Sequence, residues 1–153
     1  MNIKLVLLGG IAYFLIAQII GAISGPLVHG PGGALEATYQ MYSAMWRPEL
    51  NATPPDLMAL MPLWLTTAAI NSLIVAAVFD LIRPSLPGGA VAQGLRFGIT
   101  VGLIMVGLFG LYFGIFALPA KVWIFWGVEG LLTYSVGGIG IAAVGNKFAP
   151  ASD

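Results

Sequence analysis

Four stretches of this chain, residues 5–23, 57–81, 97–118 and 122–144, are nearly unbroken runs of apolar side chains. A run of about 20 such residues is what an α-helix needs to cross the hydrocarbon core of a bilayer. None of the four alternates polar with apolar residues as a barrel strand would, and a lone segment in lipid must satisfy its own backbone hydrogen bonds. The runs predict an all-α integral membrane protein, one domain over residues 1–153, with four transmembrane helices in an antiparallel bundle. Its first partner is the lipid bilayer.

Only 8 % of the residues are charged, and six basic residues balance six acidic ones, which leaves no basic face for nucleic acid. The chain has no cysteine and one histidine, so thiol chemistry, disulfides and bis-histidine haem within one chain are excluded. No cofactor is expected.

The first run exceeds the roughly 7–15 apolar residues of a signal peptide and reads as a permanent anchor, although Ala22-Ile23-Ser24 has the small residues of a cleavage site. Beyond it, the glycines and prolines from Gly25 to Gly33 predict that the helix stops and an outer loop, residues 24–56, begins. Within that loop Leu35, Tyr39, Tyr42 and Trp46 recur at helical spacing, which predicts an amphipathic helix over residues 34–47. Tyr39, Tyr42 and Trp46 would lie at the headgroup boundary or over the bundle mouth. Thr53-Pro54-Pro55-Asp56 reads as a helix start, with Thr53 as N-cap and Pro54 in the first helical position.

Glycines recur at intervals of four, Gly94, Gly98 and Gly102, at the head of the third run, a spacing that lets helix backbones approach closely. In the fourth run Glu129, Thr133, Gly137 and Gly140 share one face, which must look inward. Glu129 is the acid that the pattern places well inside the membrane, about 12 Å down its helix from Lys121. Asn71 and Gln18 fall on the same outer half, so Glu129, Asn71, Gln18 and Thr133 form a predicted intramembrane polar cluster. A buried carboxyl of this kind handles a proton or cation, or fixes helix packing by a hydrogen bond.

Three further groups stand out. Asp80, Arg83 and Arg96 sit at the turn between the second and third runs, as an ion pair or a lipid-headgroup site. His29, Met41 and Met45 carry the ligand types of a Cu(I) site without its dense motif, so no metal site is assigned and those three residues mark the weak alternative. His29 with Glu36 is the one histidine–carboxylate pair near enough in sequence to suggest an enzyme acting on lipid.

Asp80-Leu81-Ile82-Arg83-Pro84 at the end of the second run and Trp126-Gly127-Val128-Glu129 in the fourth resemble small bacterial four-helix inner-membrane proteins of unassigned function. The resemblance implies four helices in a bacterial inner membrane and carries over no catalytic residue. Counting basic residues near the spans puts Lys4, Arg83, Arg96 and Lys147 on one side and Arg47 and Lys121 on the other, so both termini are expected in the cytoplasm. Two functions are expected: a non-enzymatic accessory subunit or homo-oligomer acting through helix contacts with other membrane subunits or itself, and a small proton-, cation- or solute-handling transporter or channel using Glu129.

Overall fold

A computed structural model describes residues 1–149. It is helical, and four of its helices are long and apolar enough to cross a membrane. They are α1 (Ile3–Ser24), α3 (Leu57–Ile82), α4 (Ala90–Phe113) and α5 (Ala120–Phe148); a short α2 (Glu36–Met41) lies in the loop after α1.

Packing is pairwise. α4 lies along α5, α1 packs against both α5 and α3, and α3 and α4 make little contact with each other. Backbones meet where side chains are missing. A Cβ on Gly94 would come within 2.5 Å of the Ile139 nitrogen, one on Gly98 within 2.5 Å of Ser135 Cα, and one on Gly102 within 2.7 Å of the Leu131 side chain. Positions rise along α4 as they fall along α5, so the two helices run in opposite directions. On its other face α5 meets α1 in the same opposed sense: Gly145 lies against Leu5, Gly137 against the Tyr13 ring and Gly140 against Ile16. Leu5, Tyr13, Ala76, Phe79, Phe97 and Ile141 form the core at this end, with the Phe79 and Phe97 rings edge to face at 5.2 Å. Gly107 and Gly110, farther along α4, face open space.

The helix limits differ from the sequence reading at three places. α1 does not stop at Ser24: it continues through one π-helical turn, Gly25–His29, closed by a 2.8 Å bond from the Gly30 N–H to the Gly25 carbonyl. Pro26 has no N–H to donate to the preceding turn, and the widened helix turns past it without losing its course. α3 begins at Leu57 with Asp56 as N-cap, its carboxylate accepting from the Ala59 N–H at 3.1 Å, and not at Thr53. Pro55 explains this, because the residue before a proline avoids the helical region and Pro54 therefore cannot open a helix. The third apolar run is helical over Ala90–Phe113 and not over residues 97–118. The helix ends at Phe113 with Gly114 as its C-cap, residues 114–118 form a turn and an extended link, and Pro119 keeps Leu118 out of the helical region.

Candidate polar site near the start of helix α5

Glu129 is the tenth residue of the 29 in α5, about 14 Å along a helix of about 43 Å. One face of α5 carries it toward the end of α1. There its Oε1 accepts a hydrogen bond from the Ser24 hydroxyl, and its Oε2 lies 3.0 Å from His29 Nε2. The π-helical turn is what brings His29 here, since it holds the chain one further turn beside α5 before the loop departs. Both side chains are partly covered, His29 at 32 % and Glu129 at 25 % exposure.

The network continues outward. His29 Nδ1 is 2.6 Å from the Tyr39 hydroxyl, and that hydroxyl accepts from Trp126 Nε1–H at 3.2 Å. One set of protons satisfies every partner: Trp126 donates to Tyr39, Tyr39 donates to His29 Nδ1, and His29 Nε2–H and the Ser24 hydroxyl both donate to an ionised Glu129. In the alternative set the imidazole is protonated and the Tyr39 hydroxyl turns to accept from Nδ1–H. Burial holds the Tyr39 hydroxyl above the usual phenol range, against a smaller lowering by the Trp126 bond, so it keeps its proton through neutral pH.

Tyr39 stands on α2, which is shorter than the helix predicted over residues 34–47. Helical geometry ends at Tyr42, followed by a 3-10 turn at Ser43–Met45. The indole of Trp46 folds back to donate to the Tyr39 carbonyl at 3.0 Å, and Asn51 Nδ2 donates to the Ser43 carbonyl at 2.8 Å, which takes up acceptors a longer helix would have used. Trp46 packs edge-on to Tyr39 at 4.9 Å and to Trp126 at 6.3 Å. With Tyr42 they cover Leu35, Leu118 and Val122, a second apolar cluster over the start of α5.

Below this network lies a cavity of about 330 Å³ whose wall includes Glu129, Asn71 and Thr133. Tyr13, Phe109, Trp126 and Tyr134 supply its aromatic surface. Of the polar cluster read from sequence, three members therefore share one cavity, while Gln18 is half-buried on α1 and does not line it. The direct partners of Glu129 are Ser24 and His29. Sequence reasoning held His29 only as a metal ligand or a partner of Glu36. Glu36 instead accepts from the Gly32 N–H at 2.7 Å and from Gln40 at 3.3 Å. Met41 and Met45 are exposed, and both ring nitrogens of His29 are engaged by Tyr39 and Glu129. Among the described residues no group of three or more histidines and acids is placed to hold a metal ion.

The turn between α3 and α4 also differs from the ion pair that sequence allowed. Among the described residues, neither Arg83 nor Arg96 pairs with Asp80. Arg83 is buried and donates to the Ala149 carbonyl at 2.6 Å and to Asn146 Oδ1 at 2.7 Å. Asp80 accepts from the Asn2 N–H at 2.6 Å, and exposed Arg96 donates to the Pro87 carbonyl at 3.1 Å. These bonds tie helix ends together.

Ser24, Glu129 and His29 are the residue types of a hydrolytic triad in a different order. The hydroxyl donates to the carboxylate and not to the imidazole, so His29 is not placed to take its proton. What the arrangement can do is hold a proton at any of several points along one line. Compared with protein-family models, curated proteins and solved structures, the chain matches none.

Proposed function

We propose that the chain is a multi-pass protein of a bacterial inner membrane, an antiparallel four-helix bundle with both termini cytoplasmic, and that it works as a small proton-linked solute carrier. The observation that carries this reading is His29 against Glu129 at 3.0 Å, since a transport path needs more than one ionisable group and the sequence alone offered one. A proton arriving at His29 Nδ1 makes an imidazolium. Its Nε2 proton then passes to the Glu129 carboxylate, leaving a neutral imidazole and a neutral acid beside the cavity. The same steps in reverse restore the starting state.

The test is the decay of an imposed pH gradient in liposomes carrying the protein. Wild type should dissipate the gradient faster than empty liposomes, and Glu129→Gln should remove the difference. Equal decay in wild-type and empty liposomes, with and without candidate solutes, would count against the carrier.

The reading as a contact-making subunit or homo-oligomer rests on Gly107 and Gly110, which have nothing within 4 Å and leave a bare stretch of α4 open to another helix. Gly94, Gly98 and Gly102 on α4, and Gly137, Gly140 and Gly145 on α5, are used within the chain. Under that reading Glu129→Gln leaves association unchanged.

A further inference from the structure

We propose that the cavity beside Glu129 takes a monovalent organic cation, an ammonium group carried on an apolar body about the size of one ring. This deepens the carrier reading, and rests on it, by naming what the proton is exchanged for.

Charge comes first. Among the described residues, Glu129 is the carboxylic acid on the cavity wall, and no lysine or arginine lines the space. With the Ser24 hydroxyl and His29 Nε2–H donating to it, Glu129 is hydrogen-bonded as a carboxylate, the negatively charged form. Each carboxylate oxygen accepts one hydrogen bond from the protein, from Ser24 or from His29, which leaves lone pairs free for a ligand. A cation in the cavity and a proton on the carboxylate therefore satisfy the same charge, and each excludes the other.

The rest of the wall selects the kind of cation. Tyr134 lies 5.9 Å from Tyr13, and Phe109 lies 6.2 Å from Trp126, so two aromatic pairs border the space. Ring faces attract ammonium groups, more strongly when water is excluded. An inorganic divalent ion would want several carboxylates, and this wall has one. Asn71 and Thr133 add a carbonyl and a hydroxyl that accept from an N–H. A volume of about 330 Å³ admits one ring with its ammonium and is at the small end of ligand sites.

Purified protein in a neutral detergent is titrated by calorimetry at neutral pH with benzylammonium, benzyl alcohol and benzenesulfonate. The expected result is saturable one-to-one binding of the ammonium alone. Glu129→Gln should weaken it at least tenfold and Trp126→Leu several-fold, while Val128→Leu, on an exposed face of α5, should leave it unchanged. If the Gln variant does not fold, the three-ligand comparison on wild type still decides. Equal binding of the alcohol and the ammonium, or no binding of the ammonium, overturns the inference. Decay of a pH gradient in liposomes without ammonium binding overturns this inference and leaves proton handling standing; ammonium binding without any pH signal overturns proton handling instead.

Discussion

His29 Nε2 and Glu129 Oε2 meet at 3.0 Å although 100 residues of chain separate them. The pair joins the end of α1 to α5 and is partly open to water, so its strength is that of a charge-assisted bond in a screened setting. A double-mutant cycle between His29→Gln and Glu129→Gln, read by thermal unfolding in detergent, should give a coupling of about 1 kcal/mol. Strict additivity would show that the two side chains do not interact in solution.

Tyr39 sets an alkaline limit on loop docking. Its phenol has a raised pKa in the folded protein, chiefly through burial, so the protonated form is the one that fits. The docking contribution is complete below the unfolded phenol's pKa of about 10 and fades as pH rises beyond it. Tryptophan fluorescence should report Trp46 and Trp126 loosening above that pH. Tyr39→Phe should shift the starting signal and remove the alkaline step; a step that persists in the Phe variant assigns it elsewhere.

Glycines on α4 should divide into two classes. Gly98→Ala forces a methyl into the backbone of Tyr134 and Ser135, and overpacking of this kind costs about 1–3 kcal/mol. Gly107→Ala and Gly110→Ala meet open space and should be neutral or slightly stabilising. Melting temperatures of the three variants check this directly, and equal losses at all three would contradict the helix pairing.

Arg83 and Arg96 should not behave alike. Arg83→Met removes a buried donor and leaves the Ala149 carbonyl and Asn146 without their partner, at a cost of about 1–3 kcal/mol. Arg96→Met removes one exposed bond to Pro87 and should cost a few tenths at most. Denaturant unfolding of the pair of variants gives the comparison; equal losses would count against the tie between α3 and α5.

Asp56→Ala removes the side chain that caps α3 and should cost about 0.5–2 kcal/mol, whereas Thr53→Ala should cost little. The same unfolding assay separates them, and a larger loss at Thr53 would restore the earlier helix start.

Helix number was legible because apolar length alone fixes it, and the glycines spaced by four at Gly94, Gly98 and Gly102 lie where α4 runs against α5. The neighbour was not legible, since periodicity says which face is small and not what lies against it. Glu129 stood out as an acid in an apolar run, and its cavity-mates Asn71 and Thr133 followed from depth and face. Ser24 and His29 were missed as its partners, and Tyr39 as the partner of His29, because the glycines and prolines after Ser24 read as a loop leaving the membrane. A usable signal was present: a lone intramembrane acid and a lone histidine just past the neighbouring run are a natural pair. Local turn rules gave the wrong N-cap at Thr53 because the constraint of Pro55 on Pro54 outweighs the preference of Pro for a first turn.

Trp126 and Glu129 stand three residues apart on α5, and between them the hydrogen bonds run out through Tyr39 and back through His29. The network is thus a ring closed through the loop, with both anchors on one turn of a single helix. Two anchors fix a direction where one would act as a swivel. Any rotation of α5 about its own axis carries both anchors away from the loop together, so the twist of that helix and the seating of the loop above it are a single mechanical coordinate.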